Sequence, residues 1–156
     1  MSIFPTKILL ATDGSEDAKL AARTAVELAQ KTGSQLHVVY VGEEGFYETP
    51  LVELATLEPT SIAREYSDLV SDIERTEREL LDEEVQKVLA AGGTVTQAHL
   101  SMGKAAPEIV IVADEIGAGL IVMGSRGQGG IRRALLGSVS EFVVKHAHCP
   151  VLVVRE

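Results

Sequence analysis

The chain has 156 residues, with 14 lysines and arginines against 23 aspartates and glutamates, for a formal net charge of −9 at pH 7. That balance, with no basic stripe interleaved with aromatics, argues against nonspecific nucleic-acid binding. The lone Cys149 excludes an internal disulfide and a cysteine-cluster zinc site. No apolar stretch is long enough to span a membrane as a helix, and Met1-Ser2-Ile3-Phe4-Pro5 lacks a basic region followed by an apolar run. No secretory signal is therefore expected, and a cytoplasmic location follows. The length suits one domain, residues 1–156, with a real core. Aromatics are only 4% and tryptophan is absent, so that core must be aliphatic, as suits a parallel sheet covered by helices.

In chain order, Ile8-Leu9-Leu10-Ala11 is a short apolar run ending in Thr12-Asp13-Gly14-Ser15, which combines turn chemistry with helix N-cap candidates. Ser15 to Lys31 reads as a helix, with Glu16 and Asp17 in its first turn, Lys31 in its last and Gly33 just beyond. Leu36 to Val41 is a second strand. Gly42 to Pro59 is acidic and irregular and reads as a loop. From about Ser61 to Ala91, apolar residues recur at helical spacing, and Gly92-Gly93 ends the run. Thr94 to Leu100, polar and weakly patterned, reads as an edge strand. Ala105 to Ile116 reads as a helix with Pro107 in its first turn. Leu120 to Met123 and Val151 to Val154 are the last two strands, with a helix over Glu141 to Ala147 between them. Strands alternating with helices imply parallel pairing through right-handed crossovers.

The sharpest signal follows the strand Leu120–Met123. It reads Gly124-Ser125-Arg126-Gly127, nine residues, then Gly137-Ser138-Val139-Ser140. A strand, a glycine-rich loop and a helix N-terminus in succession make a good place to hold phosphate. From Ile116 to Ser140 there is no acid, while Arg126, Arg132 and Arg133 are present, which favours an anion. Ser138 has two readings. With Glu141 it fits Ser-x-x-Glu, a capping box that would satisfy the helix's own N–H groups. Alternatively Ser138 and Ser140 present hydroxyls and N–H groups to phosphate while Glu141 turns to solvent. The charge of the loop favours the second.

The pattern Gly124-x2-Gly127-x9-Gly137-Ser138 resembles the ATP-binding signature of the universal stress protein family. The resemblance extends to Lys7–Ser15, Leu36–Val41 and Cys149–Arg155, and so over nearly the whole chain. It implies an α/β fold: an open twisted five-stranded parallel sheet in the order 3-2-1-4-5 with helices on both faces, Rossmann-like and akin to the adenine nucleotide alpha hydrolases. In such a sheet ligands bind where the strand order reverses, outside the carboxyl ends of the strands, and there Asp13 and Gly124 converge. The resemblance further implies that Ala11 and Thr12 line the pocket floor, that Val41 packs on adenine, and that Gly124, Gly127, Gly137, Ser138, Val139 and Ser140 surround the phosphates. Met123 is placed to pack on the base from the other side or to fill the core, and Arg126, at a variable position of the family motif, to flank the phosphates. Asp13 would contact ribose or a Mg²⁺ riding on the phosphates; it also suits a cap for the first helix. The implied ligand is ATP with Mg²⁺. The implied assembly is a homodimer through the edge strand Val151, Leu152, Val153 and Val154, with a further protein partner that the sequence does not name.

Competing chemistries fail on their motifs. There is no Gly-x-x-x-x-Gly-Lys-[Ser/Thr] loop, no Gly-x-Gly-x-x-Gly after the first strand and no Gly-x-Ser-x-Gly elbow. His37, His99, His146 and His148 lack metal-ligand spacing, and no general base stands out. The expected function is an ATP-dependent regulatory switch with at most slow hydrolysis. An ATPase or nucleotidyl-transferring enzyme and a nucleotide-free interaction dimer are the alternatives.

Overall fold

The computed structural model describes residues 2–43, 62–126 and 136–156. Most of the expected Gly42–Pro59 loop, and Gly127, Arg132 and Arg133, lie outside them. The elements run β1 (Lys7–Thr12), α1 (Glu16–Thr32), β2 (Gln35–Gly42), α2 (Ile62–Ala90), β3 (Gln97–Met102), α3 (Ala105–Ile116), β4 (Leu120–Gly124), α4 (Ser138–His146) and β5 (Val151–Val154). Among the described residues five strands form one parallel sheet in the order β3-β2-β1-β4-β5. The order reverses between β1 and β4, as the family resemblance implies.

Side chains alternate across this sheet and build two cores. Ile8, Leu10, Leu36, Val38, Leu120 and Val122 face α1 and α2, which contribute Ala21, Ala25, Leu81 and Val88. Leu9, Ala11, Val39, Ile121 and Met123 face α3 and α4, which contribute Ile109, Val112, Ala113 and Val143. Ile8, Leu9, Leu10 and Ile121 are fully buried, and each such side chain stabilises the fold by roughly 1.5–3 kcal/mol. Burial on both faces explains why β1 and β4 read as unbroken apolar runs.

The helix signals act as capping chemistry predicts. Ser15 caps α1 by accepting the Ala18 N–H at 3.2 Å. Gly33, at φ +66°, takes the left-handed turn that ends it. The edge strand β3 begins three residues later than its pattern implies. Pairing with β2 sets its start, with Gln97 opposite His37 and Met102 opposite Gly42.

One pairing joins strands that sequence spacing leaves unconnected. His37 on β2 and His99 on β3 stack at 5.4 Å between centroids, with Nδ1 of His37 3.1 Å from Nε2 of His99. His37 is buried, and its Nε2 has no partner among the described residues. Burial lowers both imidazoles from their usual 6.5; Lys7 adds to the lowering at His37, while Glu115 opposes it at His99. The folded state therefore binds fewer protons than the unfolded one as these groups titrate. Their contribution to stability is complete above pH 6.5 and is lost as pH falls through the lower folded values. Urea melts should show a midpoint that drops on acidification below 6.5, and His37→Leu combined with His99→Leu should flatten that drop. An equal slope in both proteins would show that the pair does not carry it.

Candidate functional site

At the carboxyl ends of β1, β2 and β4 lies a cavity of about 260 Å³. β1 supplies Ala11 and Thr12 and passes into Asp13; β2 supplies Val39 and Val41; β4 supplies Met123 and Gly124 and passes into Ser125 and Arg126. The N-terminal turns of three helices close it, with Ser15 and Ala18 from α1, Ala105 and Ile109 from α3, and Gly137 to Ser140 from α4. Of the residues expected to surround the nucleotide, all but Gly127, which lies outside the described residues, line this one cavity.

The lining has two characters. Val39, Val41, Ile109 and Met123 belong to the apolar core on the α3 and α4 side and offer a surface suited to a flat aromatic ring. The other part is polar and electropositive. Ser138, Val139 and Ser140 form the first turn of α4, whose N–H groups have no preceding turn to bond. The helix dipole adds positive potential there, and Arg126 lines the same cavity, its main chain against Gly137.

Local hydrogen bonds hold this arrangement. The Ser125 carbonyl accepts the Gly137 N–H at 2.6 Å and the Ser140 hydroxyl at 2.8 Å. These contacts pin the start of α4 to the end of β4, across a chain interval of more than ten residues. Ser125 Oγ donates to Asp17 Oδ2 at 2.7 Å in a buried pair that ties the same loop to α1. Asp13 Oδ1 accepts the Ser15 N–H at 2.9 Å and so shapes the turn into α1.

Glu141 turns to solvent, as the favoured reading of Ser138 has it, and one expectation changes, that for the Ser140 hydroxyl. The capping box does not form: Gly137 is the N-cap and offers no side-chain bond, Ser138 is already helical, and Glu141 pairs with Lys145 at 2.8 Å. That pairing, with Lys145 the first cause, lowers the Glu141 carboxyl. The Ser140 hydroxyl is committed to the Ser125 carbonyl, so what Ser140 can offer a ligand is its backbone N–H. Thr12 turns its hydroxyl away, to Glu84 Oε2 of α2 at 2.9 Å, because strand alternation puts its side chain on the opposite face from Ala11.

Ser15, Ala18, Val39, Ala105, Ile109 and Ser125 also line the cavity without having been singled out. Ser15 and Ser125 sit inside quoted motifs. The others carry no signal beyond helix or strand core. Among the described residues no group of three or more metal-ligating side chains occurs. His146 caps α4 through the Phe142 carbonyl, with Nδ1 at 2.9 Å.

A model of the universal stress protein family matches residues 5–155. The universal stress protein MJ0531 of Methanocaldococcus jannaschii is 35% identical over 150 residues, covering 96% of this chain and 82% of that one. The structure of the universal stress protein UspA from Lactobacillus plantarum superposes with a TM-score of 0.74 at 27% identity, covering 97% of this chain and 99% of the other. A universal stress protein from Archaeoglobus fulgidus, solved in complex with dAMP, superposes with a TM-score of 0.61 at 26% identity, covering 99% and 100%.

Proposed function

The chain belongs to the universal stress protein family, and on that premise we propose that it is an ATP-binding regulatory protein. The observation that carries this reading is the joining, in one cavity, of an apolar slot to the N-terminus of α4 with Arg126 beside it. An adenine ring suits the first part and a phosphate chain the second. The Archaeoglobus relative in complex with dAMP supports an adenine nucleotide as the ligand class.

Mg²⁺ fits as a companion of the nucleotide. Asp13 is the carboxylate among the described cavity-lining residues, and Mg²⁺ is commonly held by one or two carboxylates, phosphates and retained water. Val151–Val154 lies at the outer edge of the described sheet, with Leu152 exposed. An unpaired apolar edge invites a second strand, so the working unit is a homodimer joined along β5. Nucleotide occupancy alters the surface that this dimer presents to a protein partner in the cytoplasm, and hydrolysis, where it occurs, is slow.

The test is calorimetric titration of the nucleotide-stripped protein with ATP and Mg²⁺, with overnight product analysis and sedimentation of the same sample. Saturable binding to a dimer with little ADP formed is the expected result. Repeated turnover would make the protein an enzyme rather than a switch. Failure to bind ATP, ADP or AMP would leave an interaction module.

A further inference from the structure

Asp17 is not part of the cavity lining, yet it is only 8% exposed and its carboxylate turns toward the loop after β4. Besides accepting the Ser125 hydroxyl, Oδ2 stands 3.7 Å from Nε of Arg126. The main chain leaves this acid little room to withdraw. A Cβ on Gly124 would lie 2.8 Å from the Asp17 Cβ, which measures how tightly α1 sits on the end of β4. Arg126 is the cationic side chain among the described residues lining the cavity. The fixed charge of the phosphate end is therefore a guanidinium with a buried carboxylate directly behind it.

We infer that Asp17 is a specificity-determining residue: its buried charge offsets Arg126 and restrains the preference of the site for a nucleoside triphosphate over the monophosphate. The inference rests on the nucleotide reading of the cavity. ATP and AMP share base, ribose and first phosphate, so contacts to those parts cancel in the ratio of their affinities. What remains is the field acting on the additional phosphate charge. With Asp17 and Arg126 both present their two side-chain charges largely cancel and the α4 dipole remains; removing the Asp17 charge makes that field more attractive, and removing the Arg126 charge makes it less so.

The experiment measures ATP and AMP affinities separately, in chelator so that no divalent metal intervenes. Asp17→Asn keeps an acceptor for the Ser125 hydroxyl while removing the charge. It should raise the ATP-to-AMP affinity ratio by about five- to tenfold, the size expected of one partly screened charge at this range. Arg126→Gln should lower the ratio by a similar factor. The double variant should return to within about twofold of the parent, since the pair is again neutral. An Asp17→Asn ratio that is unchanged or lower overturns the inference. If that variant does not fold, Arg126→Gln, at a side chain 27% exposed, decides alone, and an unmoved ratio there overturns it equally. A parent protein that binds neither nucleotide brings down the reading of the cavity, and the inference with it. A parent that binds both, with ratios that do not move, brings down the inference alone.

Discussion

Replacing Ser138 by aspartate is expected to cost at least about a hundredfold in ATP affinity while leaving the melting temperature unchanged or slightly higher. The two effects separate because one position serves two masters of opposite sign. Ser138 is the first residue of α4; it is exposed and lines the cavity. For the helix, an acid in the first turn complements the dipole and stabilises by about 0.3–1 kcal/mol. For a phosphate seated on the same N–H groups, that acid is a like charge at contact distance. At an effective dielectric near 20, two unit charges about 4 Å apart repel by roughly 4 kcal/mol, more than the approximately 2.7 kcal/mol that a hundredfold represents. Ser138→Asn, nearly the same shape without the charge, should lose far less. Thermal melts and nucleotide titrations on the three proteins decide the matter. Unchanged affinity in Ser138→Asp would place the phosphates elsewhere. A joint loss of binding and fold would mean that α4 does not begin where the structure puts it.

Much of the frame was legible because burial on both faces of a parallel sheet writes itself into the chain. Ile8–Ala11 and Leu120–Met123 are unbroken apolar runs for that reason, and Ser15 and Gly33 mark helix ends by their own chemistry. Glycine spacing located the loop after β4, and the strand order brought Asp13 to it. What stayed illegible depends on partners distant in the chain. Ser-x-x-Glu at Ser138 is a sound local signal, yet the Ser125 carbonyl captures the Gly137 N–H and moves the cap back by one residue. The Asp17–Ser125 hydrogen bond spans 108 positions and the His37–His99 pair spans 62. No periodicity or motif encodes such pairings. β3 lies at the sheet edge with Gln97 and Ala98 exposed and the rest only partly buried, so its ends are set by β2 rather than by its own pattern.

Gly124→Val, by contrast, should lower both stability and nucleotide affinity. Gly124 is not required by an unusual backbone angle, since it is absent from the positive-φ glycines; it is required by space. A Cβ there would stand 2.8 Å from the Asp17 Cβ, 2.9 Å from the Asp17 carbonyl carbon and 3.0 Å from the Ala18 nitrogen. Two of those atoms are main chain in the first turn of α1, which the Ser15 cap holds in place, so no rotamer change relieves the contact. Either α1 lifts from the sheet or the end of β4 bends away. Overpacking of this kind costs typically about 1–3 kcal/mol. Either movement also strains the buried Ser125–Asp17 bond, a charge-assisted contact of the class contributing about 1.5–3 kcal/mol. A loss of about 3 kcal/mol or more is expected, equivalent to roughly 6–12 °C in melting temperature for a chain of this size. Gly124→Ala should fall between the two, because the Cβ alone makes the clash and the branched methyls deepen it. The same loop carries Arg126 and, through Ser125, the start of α4, so displacement of β4's end also spreads the phosphate subsite. Ser138→Asp then moves affinity alone, whereas Gly124→Val moves affinity and melting together. A Gly124→Val protein that melts with the parent would show that α1 yields at little cost. Asp17 would then be free to withdraw from Arg126, and the charge balance at the phosphate subsite would no longer be set by packing.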